Sequence, residues 1–154
     1  MISEFYKNLP KKRLGAGVLL FNEKNELLLL KPSYKDHWSI PGGGVDENES
    51  PRQACLREIN EEIGLSLKNI QFISVDCIKT REDKNESLQF IFYGGRLAAS
   101  QQADIKLKAG EISEFKFVRV EQALPWLSRG LQKRLKKSLK ALNKKTSIYL
   151  EDGE

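Results

Sequence analysis

Three carboxylates, Glu58, Glu61 and Glu62, crowd the end of the run PRQACLREINEEI at residues 51–63. At about 100° per helical residue, Glu58 and Glu62 lie nearly one above the other, with Glu61 about 60° to one side. Like charges so placed oppose helix formation by roughly 0.2–0.5 kcal/mol per pair. A solvated acidic face is ordinary on a surface helix, but repulsion concentrated on one stripe suits a cation better. Oxygen-only donors favour Mg²⁺, with Mn²⁺ as the alternative, and such ions take further oxygens from water and substrate phosphate. Glu58 and Glu62 are therefore the first-choice ligands. Glu61 either bridges a second ion or accepts a proton from attacking water. Arg57 cannot bind a cation, and its rigid, always charged fork suits fixing a carboxylate such as Glu49.

Punctuation around this run predicts the helix that must carry these groups. Ser50 can cap free N–H groups, Pro51 needs no partner at the first helical position, and Gln53 completes a capping box. Gly64 can take the left-handed conformation that ends a helix, and Leu65 can fold back against it. The helix is expected near 51–63.

Gly43, Glu49, Arg57, Glu58, Ile59, Glu61, Glu62, Gly64 and Leu65 occupy nine specified positions over 23 residues. They resemble, position by position, the signature of the Nudix hydrolases, G-x5-E-x7-R-E-U-x-E-E-x-G-U with U a bulky aliphatic. Trp38, Pro41 and Gly42 also resemble the family's approach to this box, W-x-x-P-G-G. The resemblance implies an α/β fold, a Nudix-type α/β/α sandwich around a mixed β-sheet. It implies metal-dependent hydrolysis of a nucleoside diphosphate linked to another group, with catalytic roles for Glu61 and Arg57 and metal ligation by Glu58, Glu61, Glu62 and the Gly42 carbonyl. Glu49, Gly43 and Gly64 would be structural within the motif. An additional acid often comes from a later loop in this family, where Glu111 and Glu114 stand.

The whole chain has 154 residues, 40% hydrophobic and 31% charged, with a formal net charge of +5. That is the size of one domain, expected to span 1–154, and its mild basicity suits anionic partners. Cys55 and Cys77 form neither a disulfide framework nor a metal-ligand spacing. The N-terminus lacks the apolar core of a signal peptide and no apolar run approaches a membrane span, so a cytoplasmic protein without membrane contact is expected.

Residues 13–22 and 26–31 read as a hairpin, and 69–79 with 88–97 as another. A long loop is expected after residue 97, then a strand over 115–120 and helices over 121–128 and 129–143. Leu131, Leu135, Leu139 and Leu142 form one stripe of the last helix. From Arg129 to Lys145 there are eight basic residues and no acidic one. A solvated basic face is preferred here over an RNA contact. The final nine residues either add an edge strand or fray. In the approach to the box, Lys31 could neutralise a phosphate and Trp38 could stack a base, while His37 reads as a loop residue.

Substrate is the least legible property. The ADP-ribose type of this family resembles a proline about fifteen residues beyond the box, yet no proline occurs between Pro51 and Pro125. The tyrosine marker of the dinucleoside-polyphosphate type is also missing before Tyr93. A (deoxy)nucleoside triphosphate pyrophosphohydrolase acting on a small nucleotide is favoured. ADP-ribose or nucleotide-sugar pyrophosphatase and RNA 5′-end pyrophosphohydrolase are the alternatives, and a non-catalytic nucleotide sensor has less use for three clustered carboxylates.

Overall fold

The computed structural model describes residues 1–154. After an exposed helical turn, α1 (Glu4–Lys7), the chain enters β1 (Arg13–Phe21), which is buried over its last seven residues. A strand apolar on both faces belongs at the centre of a sheet. Val18 and Leu20 face one hydrophobic core, and Leu19 and Phe21 face the other.

Turn chemistry at Asn22 reverses the chain into β2 (Leu27–Pro32): its side chain accepts the N–H groups of Lys24 and Glu26 at 3.0 and 2.9 Å. The expected hairpin forms only at its closed end, where Phe21 pairs with Leu27. Beyond that the strands part. Residues 39–44 enter the gap, with Ser39 bridging Leu30, the Val18 N–H donating to the Pro41 carbonyl, and β3 (Gly42–Gly44) pairing with Gly15–Gly17. Gly42 has φ +149°, and a Cβ there would meet the Ala16 carbonyl at 2.2 Å, so only glycine permits this approach.

Helix α2 (Pro51–Ile63) follows, then the hairpin β4 (Gln71–Ile78) and β5 (Ser87–Arg96). The stretch expected as a long loop contains a short helix, α3 (Ala99–Ala103), and gives way to β6 at Ile112, three residues before the predicted strand. Buried Ile112 pairs with Pro32 across a register shift, and that tertiary pairing sets the start of β6 (Ile112–Val118). Residues 121–128, expected as one helix, divide into α4 (Val120–Ala123) and a 3₁₀ turn over Leu124–Trp126. Pro125 cannot continue an α-helix, because it lacks an N–H and its ring crowds the preceding turn. Helix α5 (Arg129–Asn143) begins at a Ser128 cap, and the tail adds β7 (Ile148–Glu151) parallel to β4.

The seven-stranded mixed sheet runs β6-β2-β1-β5-β4-β7, with β3 beside β1. Helix α2 covers one face through Ala54, Cys55, Ile59 and Ile63, while α5 covers the other through Leu135 and Ala141. The layers are those of an α/β/α sandwich. No helix is long and apolar enough to cross a membrane. Cys55 and Cys77 are free thiols, and burial pushes Cys55 up to about 12.

Candidate active site

The carboxylate helix is held at both ends by its own sequence. Ser50 Oγ accepts the Gln53 N–H at 3.1 Å, and Gln53 Oε1 accepts the Ser50 N–H at 2.8 Å. At the far end Gly64 takes φ +71° and donates to the Asn60 carbonyl. Burial of Ile59 and Ile63 against the sheet then turns Glu58, Glu61 and Glu62 toward β3 and the solvent.

Arg57 braces this face. Its Nε and Nη2 donate to the two oxygens of Glu49 at 2.7 and 3.0 Å, and Nη2 also reaches the Gly44 carbonyl at 3.0 Å. Nη1 donates to Glu58 at 3.0 Å and, more distantly, to Glu61 at 3.4 Å. A single planar fork thus ties the loop before α2, the glycine strand and two of the three carboxylates. Hydrogen bonds from Arg57, aided by the Asp46 N–H, hold Glu49 down at about 2. The same carboxylates raise Arg57 further above its ordinary range.

Glu62 stands apart. Its Oε1 accepts the Gly42 N–H at 2.7 Å, and burial, reinforced by Glu58 and Glu111, pushes its carboxyl up to about 7 against the opposing pull of that N–H and of Lys35. An anion that burial makes costly is one that a bound cation would relieve. The donors available are all oxygens, as Mg²⁺ prefers. A Cβ at Gly43 would lie 2.4 Å from Glu58 Oε1, so the glycine keeps that oxygen's position open. No three acidic side chains close into a complete cage.

Beyond β3 opens a cleft of about 570 Å³, floored by Gly15, Gly17, Gln89 and Ile91 and walled by the β4–β5 turn and the start of α5. Seven of its lining residues are Lys or Arg and none is Asp or Glu. A Cβ at Gly15 would strike Gln89 and one at Gly17 would strike Ile40, so neighbouring side chains close over both glycines.

The other sequence-predicted residues fare unevenly. Glu111 lies close enough to raise Glu62 and is paired with Lys108 at 2.8 Å. Glu114 sits on β6 opposite Lys31 and pairs with Lys116, outside the cluster. The Lys31 ammonium is spent on the carbonyls of Pro32 and Lys35. Trp38 does not line the cleft: it packs on Trp126 with ring centroids 5.3 Å apart and joins the α5-side core. His37 is an exposed loop residue. Sequence reasoning missed Arg13, Lys79, Arg81, Lys84 and Arg129 as cleft residues. They come from three separate stretches, and their only sequence signal is positive charge.

The structure thus sets an acidic helix face, braced by arginine, against a glycine strand at the mouth of a cleft whose charged lining residues are all basic. The chain belongs to the NUDIX domain family, whose model matches residues 11–142. It is 32% identical over 129 residues to an RNA pyrophosphohydrolase of Pelagibacter ubique, covering 74% of this chain and 80% of that one. An RNA pyrophosphohydrolase of Ruthia magnifica is 42% identical over 62 residues, 40% of this chain and 35% of that one. The chain spans only about a third of the length of the curated relatives it matches first. Among solved structures, a MutT protein from Methanosarcina mazei superposes with a TM-score of 0.70 at 25% identity, covering 90% of this chain and 99% of that one. A UDP-X diphosphatase superposes at 0.75 and 19% identity over 96% and 70% of the two chains, a likeness of fold.

Proposed function

We propose that this protein is a pyrophosphohydrolase acting on a nucleoside 5′-triphosphate group, with Mg²⁺ held by Glu58 and Glu62 and supported by Glu61 and the Gly42 carbonyl. The carrying observation is the junction itself: carboxylates ordered by Arg57 on one side of β3, and on the other a cleft whose charged lining residues are all basic. When bound, Mg²⁺ neutralises phosphate oxygens and lowers the pKa of an attacking water. The chain's own groups do the rest. Arg57 holds Glu58 and Glu49 in register, so the carboxylates need not reorganise when the anion arrives. Glu61, the more exposed acid, accepts the water proton as the new P–O bond forms. The anhydride P–O bond breaks, and its electron pair leaves on diphosphate, into the basic surroundings of the cleft. Two unpaired thiols fit a cytoplasmic enzyme.

The lack of both the ADP-ribose and the dinucleoside-polyphosphate markers supports triphosphates over those substrates. A second reading, a 5′-triphosphate carried on RNA, is favoured by the basic lining and by the names of the relatives. The test is a panel of nucleoside triphosphates, ADP-ribose and nucleotide sugars with Mg²⁺, scored for diphosphate or phosphate release. Diphosphate release from at least one triphosphate, with clearly slower turnover of ADP-ribose, is expected. Faster hydrolysis of ADP-ribose or a nucleotide sugar than of every triphosphate would overturn the substrate, and full activity in excess chelator would overturn the metal.

A further inference from the structure

The leucine stripe of α5 does not close completely on the sheet. Leu135 is fully buried, but Leu139 and Leu142, further along the same stripe, stay half-buried. They line a second cavity, an open groove of about 990 Å³ on the α5 side of the sheet. Val120 and Leu124 line it from α4 and the following 3₁₀ turn, and Phe21 and Tyr93, with ring centroids 6.2 Å apart, line it from the sheet. No residue of this groove belongs to the cleft beside the carboxylates. Helix α5 gives its first turns, up to Arg134, to the cleft and its remainder, from Lys136 onward, to the groove.

The charge around this apolar surface has one sign. Arg96, Lys136, Lys140, Lys144 and Lys145 line the groove against a single acid, Glu121. All five cations are exposed and none makes an ion pair, whereas Lys133 and Lys137 on the same helix both pair with Glu154. Carbonyls at the end of α5 attract cations on their own account, which explains Lys140 and Lys144. They do not explain Lys136, about two turns earlier, or Arg96, which β5 sets beside Phe21. Clustered cations beside exposed apolar surface are stabilised by an occupant that is both anionic and apolar. The aliphatic lining offers a sugar–phosphate backbone nothing to bond, and offers an apolar side chain a pocket. Strand addition has no place here, because β1, β5 and β4 are all paired on both sides, so the geometry is that of a helix laid in a groove. The N-terminal segment of a second copy exposes Ile2, Phe5 and Tyr6, but it carries four cations within residues 7–13 and only Glu4 as an acid, the wrong sign for this rim.

We propose that this groove docks an acidic amphipathic helix of a partner protein, whose apolar face sits on Phe21, Tyr93, Leu124 and Leu139 while its Asp and Glu side chains meet Lys136, Lys140 and Arg96. The site stands apart from the carboxylates and does not depend on which nucleotide is hydrolysed. It tethers the protein to a partner and touches no reacting atom.

Fluorescence anisotropy on the full chain tests this with three labelled probes. The first is a peptide of about fifteen residues with Leu and Phe at i, i+3, i+4 and i+7 and Glu and Ala elsewhere. The second replaces every Leu and Phe by Ser, and the third is a 5′-hydroxyl single-stranded RNA of equal charge. The first peptide is expected to bind roughly tenfold tighter than either control, and Lys136→Glu/Lys140→Glu to weaken it by about the same factor. Arg96→Glu, on a strand instead of the helix, should reproduce the loss and guards against a local disturbance of α5. Leu124→Asp should weaken the first peptide and leave the serine peptide unchanged, with thermal unfolding of each variant run beside the titrations. In NMR spectra the first peptide should shift the amides of Tyr93, Leu124 and Leu139 and spare Gly15 and Gly43. Equal affinity for the two peptides reduces the rim to plain charge and overturns the docking site. Tighter binding of the RNA, lost in the same variants, assigns the rim to nucleic acid and overturns it too, as do shifts confined to the cleft.

Discussion

Glu62 is the residue whose environment departs furthest from that of a free carboxylate. A carboxyl pushed up to about 7 means that the folded protein holds this proton more tightly than the unfolded chain, whose value is 4.5. Without metal, the contribution of Glu62 to stability is therefore most favourable below about pH 4.5, declines as pH rises toward about 7, and carries its full penalty above that. Glu49 shifts the opposite way, but only between 4.5 and about 2, below this window. Glu62→Gln is expected to flatten the decline and to raise metal-free stability at pH 8 by on the order of 2 kcal/mol, read by thermal or urea unfolding across pH. The same substitution should weaken Mg²⁺ binding and cut turnover severely. A melting profile of the variant that still falls between pH 5 and 8 would show that another group is responsible. Arg57→Lys keeps charge but cannot span Glu49, Glu58 and Gly44 at once. A 10–100-fold fall in kcat with a small change in Tm is expected, and unchanged kinetics would make Arg57 a bystander.

At the level of elements, the site is one helix end, one glycine strand and the contact between them. Ser50→Ala removes the cap on Gln53 and should cost about 1 kcal/mol, measurable by urea unfolding, with kcat nearly intact because the carboxylates lie two turns away. Gly43→Ala acts the other way round. Its new Cβ would meet Glu58 Oε1, the free end of a flexible side chain, so the fold yields by swinging Glu58 aside. Lost Mg²⁺ affinity and turnover with a nearly normal melting temperature are expected, and calorimetric metal titration beside thermal unfolding separates the two effects.

For the molecule as a whole, a buried polar network joins sheet, helix and tail. Asp76, fully buried on β4, accepts from Arg134 of α5 at 3.0 Å and from the Gly153 N–H at 3.0 Å, and Ser74 meets Ser138 at 2.8 Å. Asp76→Ala strands a largely buried guanidinium and should destabilise by about 3–5 kcal/mol in denaturant unfolding. It should also loosen the tail, since β7 pairs with the same strand. The outer face of α5 is less unified than its composition suggests: Lys133 and Lys137 pair with Glu154, while Lys136 and Lys140 are exposed without acidic partners. Lys136→Gln/Lys140→Gln is expected to leave nucleoside triphosphate turnover unchanged within a factor of two, since neither residue lines the catalytic cleft.

What could be read from the chain alone was whatever is written in local spacing. The ends of α2 follow from Ser50, Pro51, Gln53 and Gly64, and its acidic face from the i, i+3 and i+4 positions. The leucine stripe of α5 and the second hairpin follow from periodicities of about 3.6 and 2. The family resemblance supplied the layered fold. Tertiary structure decided the rest, because charge carries no address. Nothing local distinguishes Lys31, whose ammonium folds onto its own loop, from Lys79, which lines the cleft. Nor does anything in the sequence tell that Trp38 packs on Trp126, or that residues 39–44 enter between β1 and β2. The start of β6 at Ile112 was hidden for the same reason: a pairing with Pro32, eighty positions away, outweighs local propensity. Arg13, Lys79, Arg81, Lys84 and Arg129 gather only when strand register and the α5 start bring three stretches together, and that assembly exists in the fold and nowhere in the order of residues.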